Sequence, residues 1–206
     1  HTREAMEGIA HFIVHGYNLC INHGNGPQVG NELLRMDLTH DKVSPLPLNV
    51  CVAGTQGTIG YMIQQSLQNK LRDMEIDREV VSLVSQVIVD SKDPSIKHPS
   101  KFVGARYPKK EAETMAELFG WKIKEQEPGQ WRRVVSSPMP EYIMHGKSIK
   151  ALVDRGTIVI ASGGGGIPVY NDDSGHLEGL DAVIDKDYTA AKMGRIIRAQ
   201  ELWIIT

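Results

Sequence analysis

Three short stretches of this chain carry residue types suited to holding phosphate or carboxylate. The first reads His23-Gly24-Asn25-Gly26-Pro27-Gln28-Val29-Gly30 and follows the apolar run Leu19-Cys20-Ile21. Its glycines remove side chains, so backbone N–H groups can crowd one anion. Pro27 suits the first helical position, where its missing N–H costs nothing. A helix starting there adds about half a positive charge at the turn. The second stretch, Ser162-Gly163-Gly164-Gly165-Gly166-Ile167-Pro168, is another side-chain-free loop after another apolar run. The third is Ile184-Asp185-Lys186-Asp187, followed by Ala190 and Ala191. There Lys186 could supply positive charge to a transferring phosphoryl group, with Asp187 orienting that lysine and backbone donors or helping to hold a metal. The same residues also suit a solvated helix cap, since Asp is a good N-cap residue. A lone Gly-x-Gly is as readily an ordinary strand-to-helix turn. Two such loops after two strands point to an anion site, because ligands of open α/β sheets sit at the carboxyl ends of strands.

Other motifs fail on their spacing. His145-Gly146-Lys147-Ser148 contains the Gly-Lys-Ser of a P-loop, but the leading glycine would fall at Glu141, in a loop entering a helix. The four-glycine run beginning at Gly163 lacks the G-x-G-x-x-G entry into a helix of a dinucleotide site. His11 and His15 have the spacing of a zinc pair, yet Phe12 stands where the catalytic Glu would be, and His15 suits a helix C-terminus. No Ser-His-Asp set or carboxylate dyad stands out.

The global numbers suit an enzyme of a reducing compartment. The 206 residues are 41% hydrophobic and 23% charged, enough for a sizeable core in one or two domains. A net charge of −2 argues against a general nucleic-acid or membrane-surface binder. Cys20 and Cys51 lie in apolar surroundings without CxxC spacing and read as buried thiols, which points to the cytoplasm. No signal-peptide pattern, bilayer-spanning stretch or low-complexity tract is found. The chain opens on His1 and stops at Thr206 within an apolar run, and reads as cut at both ends.

The elements that must position these residues follow from periodicity. Met6, Ile9, Phe12 and Ile13 predict a helix over residues 1–15 with Gly16 as C-cap. Residues 17–22 predict a strand and 27–37 a helix, and Pro45 and Pro47 mark a loop. A long helix is expected over 57–74, with Ile59, Met62, Ile63, Leu67 and Leu71 on one face. One buried β-branched strand is expected over 79–90. Residues 91–144, with their prolines, Trp121, Trp131 and one helix at Lys109–Phe119, read as a small inserted subdomain. The frame resumes with a helix at Gly146–Asp154, a strand over 157–161, a turn within 171–175, a strand over 181–184, a helix from Tyr188 and a strand over 202–206. Such alternation implies an α/β fold, a mainly parallel sheet sandwiched by helices in three layers. Its core is divided between residues 1–90 and 145–206.

Taken together, HGNGPQVGN at 23–31, TQGTIGY at 55–61, SGGGGIPV at 162–169 and VIDKD at 183–187 resemble the carbamate kinases of the amino acid kinase superfamily. Lys101–Tyr107, the helix after it, and Trp131-Arg132-Arg133-Val134-Val135 resemble that family's protruding subdomain. The similarity runs from end to end of the chain. It implies reversible phosphoryl transfer between carbamoyl phosphate and ADP, giving ATP and carbamate, which yields ammonia and carbon dioxide. It also implies a magnesium-dependent cytoplasmic homodimer, commonly closing a fermentative arginine-degrading pathway. By motif, Gly24, Asn25 and Gly26 would line the phosphoryl and carbamate side, and Ser162, Gly163, Gly164, Gly165 and Gly166 the facing wall. Lys186 would contact the phosphates, Asp187 would organise the catalytic centre, and Lys101 would reach over from the subdomain. Magnesium would be held mainly by the nucleotide phosphates. The segment from Thr55 to Leu71 would contribute to the dimer interface; no nucleic-acid or membrane partner is implied.

The family's first strand, with its Gly-Gly-Asn turn, is not found before His1, nor is the region carrying most of the adenine pocket and a further catalytic lysine found after Thr206. Only part of the family's site is therefore expected within these residues. Ala105-Arg106-Tyr107 stands where the family usually has proline and then an aromatic, and Arg106 is expected in water. Two alternatives remain at this level: a superfamily member acting on another carboxylate, such as an N-acylated amino acid, or a catalytically dead anion-binding homologue.

Overall fold

Apolar residues at helical spacing alternate with buried β-branched runs, and the computed structural model, which describes residues 2–205, folds them in that alternation. The elements are α1 (Thr2–Val14), β1 (Cys20–Ile21), α2 (Gly26–Thr39), α3 (Leu48–Asp73), β2 (Val80–Ser82), β3 (Gln86–Val89), α4 (Pro94–Lys97) and β4 (Lys101–Tyr107). They continue as α5 (Lys109–Phe119), β5 (Lys122–Glu127), β6 (Gln130–Val135), β7 (Pro140–Ile143), α6 (Gly146–Asp154) and β8 (Ile158–Ile160). A single 3-10 turn at Gly163–Gly165 leads to β9 (Ile167–Asn171), β10 (Leu177–Gly179) and α7 (Lys186–Ile197).

Among the described residues the strands form three sheets: β1-β8-β2, β10-β9-β3-β7 and β4-β6-β5. The first is wholly parallel. In the second, β9 runs parallel to β3 and the outer pairs are antiparallel. The third is antiparallel. Successive side chains of a strand point to opposite faces, and β8 uses this to join two cores. Ile158 and Ile160 pack with Met6, Ile13, Ile59, Ile63, Leu67 and Leu71 of α1 and α3. Val159 faces the other way, among Ile149, Val153, Ile184 and Met193 on the α6 and α7 side. The expected helix–sheet–helix layering is thereby met, and all three β8 residues are buried, as an inner parallel strand requires.

Several boundaries differ from expectation. Helix α3 starts at Leu48 instead of residue 57. Val52 and Gly54 are weak helix formers, but Leu48, Cys51, Val52, Thr55 and Gln56 are all buried, so tertiary packing overrides local propensity. The strand expected over 79–90 is two strands in different sheets, because the chain steps across at Leu83-Val84-Ser85. Residues 182–184 of the expected strand over 181–184 are buried without a ladder; their amides reach separate partners, Ala182 to the Leu180 carbonyl and Val183 to that of Ser136. Residues 202–205 form no strand and are exposed; Thr206 lies outside the described residues. Residues 140–143, expected within the insert, pair with β3 instead.

The small β4-β6-β5 sheet is fixed to α2. A Cβ on Gly30 would overlap the backbone of Gly104, whose φ is +75°, so helix and strand touch at bare backbone. Below that point Asp37 accepts from Trp121 Nε1 at 2.7 Å and pairs with Arg133 at 3.0 Å. Arg106 pairs with Glu127 at 2.9 Å at the surface, in keeping with its expected solvent position.

Gln56 joins the two places where the chain changes sheets. Its Nε2 donates to the carbonyls of Ser85 (3.2 Å) and Gly163 (3.0 Å), while its Oε1 accepts from the Ser85 amide at 2.8 Å. Gln56→Leu strands these buried groups, each costing about 1–3 kcal/mol, and chemical denaturation will show a loss of roughly 2–4 kcal/mol. Gly30→Ala will cost about 1–3 kcal/mol by overpacking; an unfolding midpoint equal to wild type would contradict the close approach.

Candidate active site

The parallel pairing of β1 with β8 decides where the two glycine loops go. Cys20 lies opposite Val159 and Ile21 opposite Ile160, so both strands deliver their loops to one edge of the sheet. The loops then bond to each other: the Gly164 amide donates to the His23 carbonyl at 2.7 Å, and Asn22 Nδ2 to the Ser162 carbonyl at 2.7 Å. The crossing is completed by the Ser162 amide on Ser85 Oγ (2.9 Å) and the Ile167 amide on the Ser85 carbonyl (2.9 Å).

The two loops differ in what they leave free. A Cβ on Gly163 would run into the His23 ring, on Gly164 into the Asn25 amide and on Gly166 into Val87. The amides of Gly164, Gly165 and Gly166 are already bonded, to the carbonyls of His23, Ser162 and Gly163. Ser162 and these four glycines are buried. Ser162 has a left-handed φ of 53°, and its Oγ has no partner among the described residues. The second loop is thus a floor that lets other groups approach. The first loop is open. Gly24 is exposed, and the Gly24 and Asn25 amides donate to no protein acceptor among the described residues. Asn25 turns its buried side chain away from the helix, donating to Thr55 Oγ1 at 2.9 Å. His23 Nδ1 lies 3.0 Å from the Gly24 carbonyl. Burial pulls the His23 pKa below its ordinary value against that hydrogen bond, so the ring beside the loop is neutral near pH 7.

The N-terminus of α7 completes the arrangement. Its helix begins at Lys186, two residues before the expected start, with Asp185 as N-cap accepting from the Asp187 amide at 2.9 Å. Lys186 lies across Gly24: a Cβ there would stand 3.4 Å from Cδ and Cε of the lysine. Its ammonium pairs with Asp187 at 2.6 Å, and Lys101 reaches from β4 to Asp185 at 2.6 Å. Thr189 Oγ1 donates to the Gly165 carbonyl at 2.8 Å and ties the helix to the second loop. Lys101, distant in sequence from the adjacent Lys186 and Asp187, therefore meets them at one helix end. Burial raises the Asp185 pKa, but hydrogen bonds from Lys101 and the Asp187 amide outweigh it and hold the carboxyl below its ordinary range.

These donors fit an anion. Free amides, a helix N-terminus and two ammonium groups converge, whereas Asp185 and Asp187 each already hold a lysine. Among the described residues no group of three His, Cys, Asp or Glu side chains could hold a metal ion. The His11 and His15 rings lie tilted against each other with centroids 4.3 Å apart, and among the described residues no third such ligand joins them. Burial pushes the Cys20 thiol up to about 12, leaving it inert as a nucleophile. Among the described residues no helix is long and apolar enough to cross a membrane.

Of the side chains that brace the loops, Ser85 and Thr189 are not singled out by motif reading, and Thr55 and Gln56 enter it only as part of TQGTIGY, with no bracing role. Their signal is burial of polar side chains, at most 3% exposed, which sequence alone does not reveal. Within residues 55–71, Thr55, Gln56, Ile59, Ile63, Leu67 and Leu71 are buried within the chain, while Tyr61 and Met62 face outward.

Comparison with known proteins bears on the family and the fold. The model of the amino acid kinase family matches residues 2–206. A carbamate kinase of Pyrococcus horikoshii is 45% identical over the whole chain, and one of Staphylococcus epidermidis 43% identical. The chain spans about two thirds of their lengths, 66% and 67%. The structure of a carbamate kinase from Giardia lamblia bound to citric acid superposes with a TM-score of 0.91 at 34% identity, covering 95% of this chain and 63% of that one. The same enzyme bound to AMP-PNP gives a TM-score of 0.82. With its layered fold, its two interlocked glycine loops and its paired lysines at a helix N-terminus, the chain belongs to the amino acid kinase family.

Proposed function

We propose that this protein is a carbamate kinase, transferring a phosphoryl group reversibly between carbamoyl phosphate and ADP. The observation that carries the reading is Lys186 lying across the open, side-chain-free turn at Gly24, with unspent amides beneath it. The relatives' identities of 43–45% support the same substrate pair. In the forward reaction a terminal phosphate oxygen of ADP attacks phosphorus. The bond from phosphorus to the carbamate oxygen breaks, and carbamate leaves with the electron pair. No proton has to move in this step, which suits a site without a dedicated general base.

Phosphoryl transfer needs positioning and charge neutralisation more than covalent help. The Gly24 and Asn25 amides and the α7 N-terminus would hold the equatorial oxygens, and Lys186 would follow the charge as it spreads. Asp187 orients Lys186, and Lys101 adds a second cation from the small sheet. The second loop, from Ser162 to Gly166, acts by shape: its bare backbone admits His23, Asn25 and Val87. Magnesium, arriving with the nucleotide phosphates, supplies further neutralisation of their charge. This reading carries with it a cytoplasmic homodimer, joined through a surface of the segment from Thr55 to Leu71 that includes the exposed Tyr61 and Met62.

ATP formation from ADP will be measured with carbamoyl phosphate and with the acyl phosphate of an N-acylated amino acid. The reading expects carbamoyl phosphate to be the better donor; preference for the acyl phosphate would move the protein elsewhere in the family. Lys186→Ala will lower kcat by about 10²–10³, the usual loss for one charge-stabilising donor. Turnover of that variant near the wild-type rate would contradict the assigned role.

A further inference from the structure

Asp185 lies between the two lysines of the site and is engaged through both of its oxygens. Oδ1 accepts from the Asp187 amide at 2.9 Å and caps α7. That bond fixes the orientation of the carboxylate, so Oδ2 is presented in one place, where it meets Lys101 Nζ at 2.6 Å. Lys101 starts β4, on a different sheet from any strand that carries the glycine loops. The root of β4 is set by the Gly30–Gly104 approach, and Arg132 holds the Gly104 carbonyl at 2.7 Å. Those contacts place the backbone of β4 but not the tip of a long, flexible lysine. Only about a third of the Lys101 and Asp185 side chains remains exposed, 28% and 35%, so the pair is partly shielded from competing water.

We infer that Asp185 is a positioning residue, which clamps Lys101 to the N-terminus of α7 so that both lysines serve the same phosphoryl group. The inference rests on the phosphoryl-transfer reading for its catalytic consequence, though the clamp itself does not. One carboxylate thereby sets the helix end, through its cap, and the reach of the small sheet, through its ion pair. A cap alone needs only an acceptor oxygen. The clamp needs the charge as well.

Asp185→Asn separates the two roles, because its carbonyl oxygen still caps while its amide offers Lys101 no anion. Trace acetylation of the purified protein with acetic anhydride, read lysine by lysine by mass spectrometry, reports how free each amine is. Lys101 will react about threefold to tenfold faster in Asp185→Asn than in wild type, as an amine released from a carboxylate does, while Lys192 will not change. The unfolding midpoint will stay at the wild-type value, whereas Asp185→Ala will lower it by removing the cap. In the ATP-forming assay kcat of Asp185→Asn will fall about 10- to 100-fold, the scale of a misplaced catalytic group. Lys101→Met in the same background will lower it no further. Equal acetylation of Lys101 in wild type and Asp185→Asn overturns the clamp whatever the activity. Faster acetylation with unchanged kcat overturns its catalytic role. If wild type itself transfers no phosphoryl group, the functional reading fails, and the labelling result alone decides the clamp.

Discussion

The hydrogen bond from the Gly164 amide to the His23 carbonyl extends the parallel ladder of β1 and β8 past the ends of both strands. Almost everything at the site depends on that continuation. It brings a loop from residue 23 against a loop from residue 163, and it does so at bare backbone, because side chains at Gly163 or Gly164 would occupy the space of His23 and Asn25. Parallel strands need long crossover connections, and here those connections are α2, α3 and α6, which also supply the covering layers. Sheet direction, layer packing and loop contact are thus one constraint seen at three scales.

The glycine loops then divide the work. The second spends its amides on the fold and contributes shape, with Gln56 satisfying three buried backbone groups where the chain changes sheets. The first keeps its Gly24 and Asn25 amides free, and Lys186 covers it from the helix opposite. Buried polar groups without partners cost about 1–3 kcal/mol each. The bracing set of Thr55, Gln56, Ser85 and Thr189 therefore holds the site as firmly as the apolar layers do. Ser162, with its buried unpaired hydroxyl and left-handed backbone, is the strained point of this junction.

The layered α/β fold and the meeting of three distant motifs were legible in the sequence, because periodicity and glycine spacing are local signals. The broken strand at 83–85 was not, since Leu83-Val84 is as apolar as its neighbours and the step is held by long-range bonds to Gln56, Ser162 and Ile167. The early start of α3 was hidden behind weak helix formers that packing overrides. Within the site, residue types announced Lys186 and the glycines. They did not announce that one loop is structural and the other open, since both are glycine-rich and the difference lies in where their amides point. Asp185 was visible as a cap, but its hold on Lys101 depends on a sheet that sequence reading placed in a separate subdomain.

The division of labour between the loops is the centre of this account, and amide chemical shifts test it directly. The isotope-labelled protein is titrated with carbamoyl phosphate, and the backbone amides of Gly24, Asn25, Gly164, Gly165 and Gly166 are followed by NMR. The account predicts that the Gly24 and Asn25 protons move downfield on binding, as donors to an anion do, while the Gly164, Gly165 and Gly166 amides stay within the small shifts of bystanders. Downfield movement confined to the second loop, with Gly24 and Asn25 silent, would contradict it.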